Sequence, residues 1–113
     1  MYGIMLVLEP NGETRQREFT RKPNVEIITA EVGGGNFEQV PGFNSIIFED
    51  GRYKCVAVHR NDKRMRLNLQ ATKAWHVALR ASGHGGLVND TGVVDYLVGP
   101  VVILVGDREF MAL

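Results

Sequence analysis

Apolar and polar residues fall along this chain in short blocks, most of strand length, with two stretches at helical spacing. The last block is the most informative. Within Val93–Asp107, an unbroken apolar run bounded by Gly99-Pro100 and Gly106-Asp107 predicts a strand buried on both faces, hence a central strand covered by other elements. At the other end, Gly3–Glu9 is a short apolar run and Pro10-Asn11-Gly12 supplies turn residues. Thr14–Phe19 then returns with weak alternation. The pair reads as an opening hairpin whose second strand, charged at Arg15, Arg17 and Glu18, suits a sheet edge.

Between Pro23 and Val32 the signals conflict. Val25, Ile28, Thr29 and Val32 stand at helical spacing, Asn24 can cap, and Gly33-Gly34-Gly35 supplies a stop. The β-branched content opposes a helix. Position and the glycine stop favour one. Asn36–Val40 reads as a short strand ending at Pro41-Gly42, and Phe43–Asp50 as a strand turning at Asp50-Gly51 into a return strand over Arg52–His59. After a turn at Arg60–Lys63, the segment Arg64–Gln70 alternates strictly. Met65, Leu67 and Leu69 point one way, and Arg64, Arg66, Asn68 and Gln70 the other. That pattern predicts a third strand of a meander with a basic outer face. Ala71–Ser82 changes to helical period, with Ala71, Ala74, Trp75, Ala78 and Leu79 on one stripe and Gly83 as its stop. Glu109–Leu113 reads as a last short strand or a packed tail. The expected fold is a single α+β domain over 1–113, with a mixed or mostly antiparallel sheet of five to seven strands and two helices.

At 113 residues the chain is long enough for one core, burying roughly 65% of its unfolded surface. Thirteen basic residues balance thirteen acidic ones. This argues against a general nucleic-acid coat protein, which needs a positive footprint, and equally against an acidic DNA mimic. The apolar runs are too short for a membrane helix, and Met1–Glu9 lacks a secretory leader, so a cytoplasmic location is expected. Cys55 is the only cysteine, which rules out an internal disulfide and a thiolate-rich metal site.

Candidate chemistry is sparse. Cys55 and His59 are four apart on one strand, about 13 Å between Cα atoms, too far to share a metal. His76 and His84 show no spacing that joins them to His59. The glycine runs at Gly33–Gly35 and Ser82–Gly86 follow helices rather than open them and lack the lysine of a phosphate loop. Asp95, within an apolar context, is the one carboxylate whose burial would favour a proton-donor role; pairing with an arginine is the alternative. No nucleophile arrangement emerges, and neither a cofactor nor a metal is expected.

The strongest positional signal is basic. His59, Arg60, Lys63, Arg64 and Arg66 gather on one turn and strand, opposed only by Asp62. Guanidinium forks there suit carboxylate or phosphate recognition, whereas a plain solvated strand is the unremarkable reading. Tyr53 is the sole nearby aromatic, so the face is a poor platform for stacked bases. The candidate binding residues are Arg60, Lys63, Arg64, Arg66 and Asn68, with His84 of the glycine loop.

Several segments in order resemble a family of small proteins of unknown function from bacteriophages, prophages and other mobile elements. They are Ile4–Glu9, Val32-Gly33-Gly34 with Phe37–Pro41, the Glu49–Arg52 hairpin, Asn68–Thr72 with Trp75, and Asp95–Leu104. The chain departs from the commoner pattern in its fuller helix and glycine-rich loop between Asn68 and Asp95. The family offers no catalytic residues. What the resemblance implies is context: a phage-borne accessory protein acting on the host. The expected function is therefore non-enzymatic binding of a host protein or a regulatory or defence factor, with self-association as a further possibility. The alternative is a protein that binds or sequesters a small anionic, nucleotide-type ligand.

Overall fold

A computed structural model of the chain describes residues 3–21, 23–40, 43, 47–48, 53–81, 96–107 and 110. The first two strands, β1 (Gly3–Leu8) and β2 (Thr14–Phe19), form the expected hairpin. Gly12 N–H donates to the Glu9 carbonyl at 3.0 Å and Glu9 N–H to the Glu13 carbonyl at 2.8 Å. Gly12 sits at φ +92°, which completes a three-residue turn with a glycine bulge.

The conflict over Pro23–Val32 resolves to a helix, α1 (Val25–Glu31). Caps outweigh β-branching here. Asn24 Oδ1 accepts from Ile27 N–H at 2.9 Å, and the C-terminus closes with Gly34 N–H on the Thr29 carbonyl and Gly33 N–H on the Ala30 carbonyl. That double closure requires the left-handed φ of +95° that Gly33 adopts.

Next come β3 (Glu38–Val40), β4 (Ile47–Phe48) and β5 (Tyr53–His59), then α2 (Leu69–Ala81) and β6 (Val101–Gly106). The sheet runs β2-β1-β6-β5-β3, antiparallel throughout, with β4 also on β5. Strands β3 and β4 share one edge of β5, where seven steps from Val40 to Ile47 face three from Ala57 to Lys54. The expected Phe43–Asp50 strand is thus reduced, among the described residues, to Ile47–Phe48. Phe43 instead fills the core. The Asp50-Gly51 turn, Ser82–Asp95 and all of the tail except Phe110 lie outside the described residues.

The closing strand is central, as its apolar run requires. β6 pairs with β1 on one side and β5 on the other, and its side chains go to both faces. Val101 and Ile103 join Leu8, Cys55, Ala57, Phe43 and the α2 stripe of Ala71, Trp75, Ala78 and Leu79. Val102 and Leu104 join Met5, Val7, Val58 and α1 through Ile28, with Val32 beyond its C-terminus. Among the described elements, α2 therefore lies on one face and α1 on the other. Phe110 seals the second layer over Gly3 and Gly106, which are register partners; a Cβ at either glycine would overlap its ring.

Arg64–Gln70 corrects the sequence reading. It is not a strand, so among the described residues it adds no third strand to β4 and β5. Lys63–Met65 is a turn, Leu67 makes one isolated bridge to Val98, and Leu69 already begins α2. The alternation of Met65, Leu67 and Leu69 does not mark a core face: Leu67 and Leu69 are 48% and 54% exposed. The physical reason is Asn68, which caps α2 three residues before the predicted start. Among the described residues no helix is long and apolar enough to cross a membrane.

Candidate binding surface

The chain leaves the sheet after His59 and reaches α2 through residues 60–68, a loop pinned along its whole length. Asn61 takes a left-handed φ of +59° and donates from Nδ2 to Glu38 Oε1 at 2.6 Å. Asp62 then folds the turn: its carbonyl accepts from Met65 N–H at 2.9 Å and its Oδ1 from Arg64 N–H at 3.1 Å. On the far side, the Arg66 carbonyl accepts from Gly99 N–H at 2.7 Å and Asn68 N–H donates to the Leu97 carbonyl at 2.9 Å. These bonds zip the loop to residues 97–99, which lead into β6.

The basic side chains divide by what they touch. Arg60 donates to the Gly33 carbonyl at 3.2 Å and lies 3.6 Å from Asp62, tying the loop to the end of α1. Lys63 donates to the Tyr96 carbonyl at 2.6 Å and sits 4.0 Å above the Tyr96 ring. Arg64 closes its fork on Asp62 at 3.0 and 2.9 Å, yet its side chain stays 87% exposed. The Arg64 hydrogen bonds hold the Asp62 carboxyl down to about 2, and Asp62 in turn pushes the guanidinium above its usual value. Arg66 is exposed. Five of the six sequence-predicted residues thus share one loop; Arg60, Lys63, Arg64 and Arg66 form its basic surface, and the first two are anchored to carbonyls elsewhere in the fold.

Asn68 does not join that surface. It is fully buried. Its Nδ2 donates to the Leu8 and Gly99 carbonyls, both at 2.8 Å, and its Oδ1 accepts from Ala71 N–H at 3.0 Å. One amide therefore joins the end of β1, the entry to β6 and the start of α2. It positions the loop and presents nothing to a partner. His84 and the Gly83–Gly86 loop lie outside the described residues, as do Asp95 and the Tyr53 side chain.

Of two further contributors, one was read from the sequence only as an opposing charge and the other was missed. Asp62 was visible as the acid two residues before Arg64, the spacing of a local side-chain turn. Tyr96, which holds Lys63, is 33 residues away and gave no signal. For covalent chemistry the described residues offer little. Cys55 is buried, which pushes its thiol up to about 11 and leaves it protonated at neutral pH. Among the described residues, no group of three or more His, Cys, Asp or Glu is placed to hold a metal ion.

Comparison with known proteins returns no match: no protein family, no curated protein and no solved structure matches the chain.

Proposed function

We propose that this chain is a non-enzymatic accessory protein of a phage or mobile element that binds a host protein, such as a regulatory or defence factor, through the 60–66 loop. The observation that carries the reading is the loop's preorganisation: its backbone is fixed at both ends while Arg64 and Arg66 project into solvent. Binding to such a loop orders few additional groups, so little conformational entropy is lost on association. The phage setting is supported by the sequence resemblance alone.

Charge pattern favours a protein partner over a free nucleotide. Asp62 lies within the cluster, closed on Arg64, and its carboxylate opposes an incoming polyphosphate. A protein rim carries both signs and tolerates it. The test is affinity capture from host lysate at low salt, comparing wild type with the double variant Arg64→Ala, Arg66→Ala. A host protein retained by wild type and lost from the variant, with an unchanged melting temperature, is the expected result. Equal retention by both, or nothing above background with either, contradicts the proposal.

A further inference from the structure

Met65 is the only apolar residue of the 60–66 segment. Its neighbours Arg64 and Arg66 are exposed, whereas Met65 itself is half-buried. Its thioether ends against two glycines from distant parts of the chain. A Cβ on Gly99 would stand 2.7 Å from Met65 Cε and 2.8 Å from Sδ, and a Cβ on Gly33 would stand 3.0 Å from Cε. The end of Met65 thus fills space that the side chain of any other residue at those two positions would enter.

Both glycines are already tied to the loop by polar groups. Gly33 follows α1, and its carbonyl accepts from Arg60 at 3.2 Å. Gly99 leads into β6; its N–H donates to the Arg66 carbonyl at 2.7 Å, and its carbonyl accepts from Asn68 Nδ2 at 2.8 Å. Met65 touches the two together. One side chain therefore joins the loop to the end of α1 and to the entry of the central strand.

The kinds of contact differ in what they resist. Arg60 and Lys63 are long side chains whose bonds lie at the exposed surface, where water can replace a bond as the backbone shifts. A packed contact against two main-chain segments has no such substitute, and its dispersion energy falls as soon as the segments part. Methionine suits the slot because an unbranched thioether adapts to an irregular gap.

We propose that Met65 is the positioning residue of the 60–66 loop: keyed against Gly33 and Gly99, it fixes the loop to α1 and β6 at once and sets where Arg64 and Arg66 project. The consequence for binding rests on the loop being the partner face; the positioning itself does not.

Hydrogen exchange of isotope-labelled full-length protein reads the positioning without a partner. Met65→Ala should speed exchange about tenfold at the Gly33, Gly34, Asn68 and Gly99 amides, which bond to Ala30, Thr29, Leu97 and Arg66. The Gly12 amide of the hairpin turn and the amides of β6 should keep wild-type rates. Met65→Leu, of similar volume, should restore slow exchange. Gly99→Ala pushes the end of Met65 out of its slot, so it should loosen Gly33 and Gly34 in wild type and loosen them less in the Met65→Ala background. Backbone strain at Gly99 is common to both backgrounds, and the difference isolates the contact. If Gly99→Ala fails to fold, the two Met65 variants carry the test. Unchanged exchange in Met65→Ala, a uniform rise that includes Gly12 and β6, or no recovery with Met65→Leu overturns the proposal. Capture of a host protein should also fall in Met65→Ala, although both arginines remain. Faster loop exchange with undiminished capture supports the positioning role and contradicts the loop as partner face. Unchanged exchange with lost capture contradicts the positioning role alone.

Discussion

Replacing Asn68 by alanine removes three hydrogen bonds at once, and their cost can be worked from the structure. The Leu8 and Gly99 carbonyls lose the Nδ2 donor, and Ala71 N–H loses its capping acceptor. Loss of a cap costs about 1 kcal/mol. A buried polar group left unsatisfied costs about 1–3 kcal/mol, and both carbonyls belong to buried residues. Partial relaxation keeps the total below the largest sum, so about 3–5 kcal/mol is expected. Against a typical stability of about 5–15 kcal/mol that is a large fraction. Urea unfolding followed by circular dichroism is the assay, and the midpoint should fall by about 2 M at a common slope. Asn68→Ser keeps an oxygen at the cap but not the two donors, and should recover about 1 kcal/mol. If Asn68→Ala unfolds within about 1 kcal/mol of wild type at equal slope, the amide is not the junction of β1, β6 and α2, and the account of the loop fails with it.

Trp75 is buried between α2 and the sheet, so Trp75→Ala should cost about 3–5 kcal/mol in the same assay; a variant melting like wild type would remove the indole from the core. Titration of the Asp62 carboxyl by NMR should give a midpoint near 2 in wild type, moving up toward the ordinary value near 3.8 in Arg64→Ala. Because the folded-state value is depressed, whatever the pair adds to stability is complete above the ordinary value and is lost as pH falls toward 2. Cys55 should resist alkylation in the folded protein at pH 8 and react only on unfolding, since burial lifts the thiol to about 11. Rapid labelling under native conditions would show that β5 opens locally.

Where local signals agreed with the fold, the sequence was readable. The unbroken apolar run of β6 marked a two-faced strand, Pro10-Asn11-Gly12 marked a turn, and the alanine-rich stripe marked α2. Asn24 with its glycine stop outweighed the β-branched content of α1. The misreading of 64–70 came from period-two alternation over a segment too short to separate strand from loop. Asn68 held the corrective signal: a capping residue three before Ala71, where the alanine-rich stripe begins. The basic cluster was legible as composition but not as geometry. The partners that anchor Arg60 and Lys63, the Gly33 and Tyr96 carbonyls, are 27 and 33 residues distant and belong to backbone that no side-chain pattern reports. Phe43 was misassigned for a similar reason, since a core plug and a strand opening look alike in one aromatic residue.

The central claim is that the 60–66 loop is the face on which a protein partner sits. It is tested most directly by photo-crosslinking in host cells, with a photoreactive side chain placed at Arg66 or, in a separate variant, at the exposed Glu26 of α1. The account predicts a discrete protein adduct from position 66 that disappears when Arg64→Ala is added, and none from position 26. Adducts from position 26 alone, or adducts from position 66 indifferent to Arg64, would contradict it.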